Sequence, residues 1–336
     1  MPSRMIERFL ALLQRRGTVL MAAGLLVGIA LPELAHLMRP GLPALVFVLT
    51  VAAFLGTDPA VLVGHARRPE RLLLVPAWIL LASPVLAELA ANFLGLPQAL
   101  GNALVLWAAS PPLSSSPAIA MLLGLDGALA LLAVIGSTFL MPLVLPPLAL
   151  GLIGVAIGVG IVPLMARLAL FILGAGLVAA LLRRSIGADR LQRRESVIGG
   201  CNVVLLHLFA IAAMDGVGPL IAAEPGAVLI YAATAFAASL GFQALSYLAF
   251  CWMTPLAAAT IGLAGGNRNM AVVWANLGSA ATPELMLFFA AMQLPIYALP
   301  ILLAPVYRRL AGRGAALTAA SPEGRRPGKH GMGERP

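Results

Sequence analysis

The sequence predicts an all-α membrane protein of ten transmembrane helices arranged as two inverted five-helix repeats. Three observations carry that reading. The composition is 61% hydrophobic and only 10% charged, with a mean hydropathy of +0.97, whereas soluble domains run about 45–50% apolar and about 25% charged. The apolar residues come in runs of about 20, the length that crosses a bilayer core as a helix. Two of those runs are interrupted at mid-length, at matching places in the two halves of the chain.

Taken in order, residues 1–16 (MPSRMIERFLALLQRR) place Ile6, Phe9, Leu10 and Leu13 at helical spacing among arginines. This reads as an interfacial amphipathic helix leading into the first span, with no small-residue cleavage site of a signal peptide. The ten spans cover roughly 17–38, 41–63, 71–94, 98–124, 127–150, 163–182, 195–215, 226–250, 255–279 and 284–306. Residues 17–150 form the first repeat and 151–309 the second. The tail 310–336 is polar, Gly/Pro-rich and basic, the composition of a disordered segment.

Of the 22 basic residues 21 are arginine, and they cluster. Arg4, Arg8, Arg15 and Arg16 precede the first span, and Arg67, Arg68 and Arg71 follow the second. Arg183, Arg184, Arg190, Arg193 and Arg194 follow the sixth, and Arg308, Arg309 and Arg313 the tenth. Ten spans put all four clusters on one side, leaving Arg39 and Arg167 toward the other. The positive-inside rule then makes both termini cytoplasmic, and the expected location is a bacterial inner membrane. The charge excess is thus a topology signal, and no nucleic-acid partner is expected. Cys201 and Cys251 have no metal-ligand spacing and read as small packed residues.

The interruptions hold the candidate site. In the fourth span, Ser110-Pro111-Pro112-Leu113-Ser114-Ser115-Ser116-Pro117 removes three backbone donors within seven residues, which should unwind the helix. Freed backbone groups at membrane depth need partners, and Ser114, Ser115 and Ser116 can supply some. The half-helix starting near Pro117 then aims its positive end into the break. A shift of about 154 residues lays this stretch over Ala264-Gly265-Gly266-Asn267-Arg268-Asn269 in the ninth span. There Gly265 and Gly266 favour unwinding, and Asn267 and Asn269 can bond exposed backbone or a ligand. Arg268 keeps its charge at any ordinary pH and costs roughly 2.5–3.5 kcal/mol near a bilayer centre. It therefore faces the bundle. Glu88 is the one carboxylate inside a span, so Arg268 either pairs with Glu88 or with half-helix carbonyls, or holds an anionic substrate. Asn102, Ser137, Thr138, Gln243 and Gln293 are further polar residues within spans, the last four residues before Tyr297 on one helix face. Interrupted helices at matching positions of inverted halves point to a transporter's substrate site.

Over residues 17–308, and above all in SPPLSSSPAIAMLLGLDGALALLAVIGSTFLMPLVLPP and GLAGGNRNMAVVWA, the chain resembles the bile acid:sodium symporter family. Its fold class is shared with arsenite permeases and auxin-efflux-type carriers. The resemblance implies a core domain of spans 3–5 and 8–10, a panel domain of spans 1, 2, 6 and 7, and a small organic anion carried between them by alternating access. It also implies sodium ions near the crossing, but several positions depart from the expected ligands. Ala130 and Val134 stand where hydroxyls are expected, Pro117 where an asparagine is, Ala264 where a bridging carboxylate is, and Arg268 where a glutamine is. Arg268 then reads as a tethered cation in place of sodium, which makes a sodium-independent or proton-coupled carrier or exporter of the same fold the alternative to a sodium symporter. No other cofactor is expected, and no enzyme: the aspartates lie far apart, no His-x-x-x-His occurs, and Ser114–Ser116 have no histidine in their segment. A membrane sensor or scaffold of the same architecture is the alternative from another class.

Overall fold

The computed structural model describes residues 17–56, 69–153, 160–277 and 281–320. Among them the chain is helical almost throughout and contains no strand. Seven helices are long and apolar enough to cross a membrane: Pro32–Leu55, Leu73–Phe93, Gly127–Ile153, Ile161–Ile186, Val197–Ala223, Pro225–Ala249 and Pro283–Leu302. The chain is an all-α integral membrane protein.

The expected fourth and ninth spans are each two short helices, Gln98–Ala108 with Ser116–Leu122 and Pro255–Gly266 with Met270–Leu277. The expected first span is also divided, into Gly17–Ala30 and Pro32–Met38, because Pro32 has no N–H to continue the ladder. Prolines and caps set the other starts. Thr254 and Thr282 precede Pro255 and Pro283, and their hydroxyls accept from Ala257 N and Leu285 N at 3.3 Å. Asp126 Oδ1 does the same for Ala128 N and Leu129 N at 3.1 and 3.0 Å. A side-chain oxygen thus serves donors that have no intrahelical partner, and proline occupies a position where none is missed. The expected amphipathic helix at 1–16 lies outside the described residues. So do 321–336 of the expected disordered tail, while its earlier part continues the helix Ala304–Ala320.

Element starts recur along the chain at one spacing. Pro69 and Pro225 open helical stretches ending at Phe93 and Ala249, Gly127 and Pro283 open the helices after the breaks, and each pair lies 156 residues apart. That is two more than the expected shift of about 154. The charges separate by face. Arg39, at the start of Leu42–Leu55, donates to Asp215 Oδ2 at 3.0 Å, and His36 Nδ1 lies 3.3 Å from Asp215 Oδ1. At the other end of that helix Arg183 donates to Leu55 O at 2.6 Å, closing a C-terminal carbonyl beside the cluster Arg184, Arg190, Arg193 and Arg194.

Helix Gly17–Ala30 approaches Glu195–Ala212 closely at its glycines: a Cβ on Gly28 would fall 2.5 Å from Ile211 O. Since that neighbour is backbone, Gly28→Ala should force the helices apart and destabilise the protein by about 1–3 kcal/mol. The check is the thermal midpoint of the detergent-purified variant.

Candidate functional site

The two breaks meet at the centre of the bundle. Pro112 faces Arg268 in an isolated antiparallel bridge, with Leu113 N donating to Asn267 O at 2.9 Å and Asn269 N to Pro111 O at 2.7 Å. Each unwound segment thereby satisfies the backbone of the other, as membrane depth demands. The serines contribute to this only in part. Ser110 Oγ returns to Leu106 O at 2.8 Å, Ser114 and Ser115 are exposed, and Ser116 is buried with its hydroxyl unpartnered.

Gly265 and Gly266 correct one expectation. They do not unwind; they are the last residues of helix Pro255–Gly266, and the break runs over Asn267–Asn269. Their missing side chains instead let this helix touch Pro225–Ala249. A Cβ on Gly265 would collide with Ser246, and one on Gly266 with Gln243 and the Ser239 carbonyl. Close approach lets Ser239 Oγ donate to Gly266 O at 2.6 Å, serving a helix-end carbonyl.

Arg268 is fully buried. Its Nε donates to Gly265 O at 2.6 Å, its Nη1 to Ile79 O and Ser110 O at 3.1 Å each, and its Nη2 to Ser83 Oγ at 2.8 Å. Gly265 and Ser110 stand at the C-terminal ends of two half-helices, where the helix dipole favours a cation. Ile79 O is available for a separate reason. Residues Trp78–Ala82 form a π-turn in which the Ser83 N–H bonds Trp78 O. Ile79 O has then lost its α-helical donor, Ser83, and its π-helical donor would be residue 84, a proline without N–H. The guanidinium fills that vacancy. Ser83 Oγ donates to Trp78 O at 2.8 Å, and Trp78 Nε1 to Ser246 Oγ at 2.8 Å. Arg268 thus joins the π-turn at Trp78–Ala82 to the ends of Gln98–Ala108 and Pro255–Gly266, and Trp78 ties that assembly to Pro225–Ala249.

Of the partners left open for Arg268, the structure shows the carbonyls. Glu88 is not among them; it is half-buried and accepts from Asn92 Nδ2 at 3.0 Å. All four partners are neutral oxygens, so among the described residues no carboxylate compensates the charge. Beside it Asn267 is also fully buried, with both Oδ1 and Nδ2 unpartnered.

A small cleft of about 20 Å³, little more than room for one water, opens next to the crossing, between Leu42–Leu55 and Gly127–Ile153. Thr50, Phe54, Ser114, Val134, Thr138 and Asn269 line it, which places it toward the Arg183 end of Leu42–Leu55. The structure therefore brings Ser114, Asn269 and Thr138 together, while Arg268 and Asn267 lie behind the bridge. Thr138 and Thr50 donate to Val134 O and Val46 O at 2.6 and 2.7 Å, leaving their acceptor lone pairs free. Ser137, next to Thr138, is buried with its hydroxyl unpartnered. Asn102 is half-buried in the first half-helix. Gln293 donates to Phe289 O at 3.2 Å and accepts from Tyr297 at 3.4 Å. Gln243 accepts from Tyr307 at 2.5 Å. These last three stand apart from the cleft lining.

Sequence reasoning missed Thr50, Trp78 and Ser83. Ser83-Pro84 was the available signal, since a proline inside an apolar span always orphans a carbonyl one turn back. Comparison with protein-family models and with curated proteins returns no match for this chain.

Proposed function

We propose that the chain is a secondary transporter of the bile acid:sodium symporter fold, moving a small organic anion by alternating access without coupling to sodium. The observation that carries this reading is the Arg268 cage: a fixed cation at the crossing of two broken helices, held by four protein oxygens and no carboxylate. A buried charge without a counter-charge is costly, and an anion admitted beside it as the adjacent cleft widens during alternating access would supply one. The half-helices Ser116–Leu122 and Met270–Leu277 also begin at the crossing, adding the positive ends of their dipoles. Sodium needs several oxygens of its own; here the guanidinium already occupies such a set, and it would repel a second cation.

The ten-span inverted repeat belongs to the same proposal. The 156-residue recurrence supports it, as does a bridge whose two hydrogen bonds, Leu113 to Asn267 and Asn269 to Pro111, exchange under that shift. The arginine-rich face is then cytoplasmic, and the cleft opens toward it.

The test is a thermal-shift screen of the purified protein with organic carboxylates and sulfonates against their neutral amides, in sodium chloride and in choline chloride. Hits are then followed by counterflow in proteoliposomes. We expect anions alone to raise the midpoint, equally in both salts, and Thr138→Leu, which fills the cleft, to abolish the effect. Stabilisation by the amides, or a requirement for sodium, would refute the reading. Binding without counterflow would favour a sensor.

A further inference from the structure

The helix Ala304–Ala320 follows the last span after Leu303 and packs against segments of both broken spans. On one face Tyr307 is buried in a cluster with Leu123, Leu125, Ala130, Ala259 and Leu263, and Leu310 and Ala311, one turn on, pack against the same cluster. That face therefore touches the end of the half-helix Ser116–Leu122 and the middle of Pro255–Gly266. From it a hydrogen-bonded chain runs inward. Tyr307 donates to Gln243 Oε1 at 2.5 Å, Gln243 Nε2 to Ser239 Oγ at 3.5 Å, and Ser239 Oγ to Gly266 O at 2.6 Å. Gly266 is the last helical residue before the break and the neighbour of Gly265, whose carbonyl holds Arg268.

The outer side of the junction has a different character. Ile301 and Leu302 at the end of Pro283–Leu302, and Val306 in the first turn of Ala304–Ala320, are exposed apolar residues, as lipid-facing residues are. Arg308 and Arg309 follow immediately and are exposed, and no acidic residue occurs between 304 and 320. At 1.5 Å per residue, two arginines directly beyond an apolar belt sit at headgroup depth. Their charge suits the phosphate of an anionic phospholipid, an interaction of about 1 kcal/mol per basic residue near such a surface.

We propose that Arg308 and Arg309 bind anionic phospholipid headgroups, and that this seats the helix Ala304–Ala320 so that Tyr307 holds the ninth-span break through Gln243 and Ser239. The proposal rests on packing and charge, so its failure leaves the transport reading untouched.

It is tested on the full chain in nanodiscs of phosphatidylcholine alone or mixed with phosphatidylglycerol, by hydrogen exchange of the peptide spanning Gly266–Met270. Phosphatidylglycerol should slow exchange there severalfold. Replacing Arg308 or Arg309 by Gln should weaken phosphatidylglycerol binding about fivefold each and remove the slowing, without lowering the thermal midpoint in phosphatidylcholine. Tyr307→Phe should keep lipid binding and lose the slowing. Equal slowing by phosphatidylcholine alone, or in Arg308→Gln/Arg309→Gln, overturns the lipid site. Slowing by inorganic phosphate in phosphatidylcholine discs overturns it in favour of a free-anion site. Full slowing in Tyr307→Phe overturns the route through Gln243.

Discussion

Arg268→Met is expected to be the most damaging single substitution in the chain. It leaves Ile79 O, Ser110 O and Gly265 O buried without donors. At about 1–3 kcal/mol for each unsatisfied buried group, the loss is of order 5 kcal/mol, comparable to the whole stability of many proteins. Arg268→Lys should fall between. It keeps the charge, but a point-like ammonium cannot reproduce a planar fork that spans three helices. Ser83→Ala removes one partner and should cost about 1 kcal/mol. The measurement is the thermal midpoint in detergent without any ligand. If Arg268 served substrate alone, Arg268→Gln would keep the wild-type midpoint and lose only binding. That outcome would remove the structural role assigned to the cage.

Gly266→Ala is expected to be nearly as severe, for a steric reason. The new methyl would overlap Gln243 Cγ and, worse, the carbonyl oxygen of Ser239. A side chain can turn aside, but the backbone of a straight membrane helix cannot. The helices Pro255–Gly266 and Pro225–Ala249 must separate, which lengthens the Ser239-to-Gly266 bond and disturbs the adjoining bridge. Overpacking of this kind costs about 1–3 kcal/mol and occasionally more. Gly241→Ala, on the same long helix, is the control. Nothing lies within 4 Å of its Cβ position, so it should be neutral or slightly stabilising. Folded yield from membranes and the thermal midpoint together report both variants.

The long helices were legible because lipid imposes a simple rule of length and hydropathy, and the breaks because prolines remove donors wherever they stand. The role of the glycines was not. A Gly-Gly pair weakens a helix in isolation, and what reverses that effect is a neighbour, Ser239 or Gln243, more than twenty positions earlier. Glu88 attracted notice as the one carboxylate inside a span, but it sits five residues beyond Ser83, roughly 7 Å farther along the helix axis. The Arg268 partners are mostly backbone carbonyls, which carry no residue identity, so no reading of side-chain types could have singled them out. Thr50 bonds its own helix, as threonines in spans commonly do, and only the cleft beside it gives it further significance.

The π-turn at Trp78–Ala82 has a consequence for the angular phase of its helix. A π-turn accommodates about one residue more than an α-turn, so the stretches on either side, Pro69–Ala77 and Ser83–Phe93, are rotated by about 100° from where one continuous α-helix would place them. The indole of Trp78 can then point at Ser246 while Ser83 points at the guanidinium. Removing a single residue anywhere in the turn would re-phase the helix and present one of those two groups to lipid. The arginine is thus matched to a chain length as much as to a set of residues.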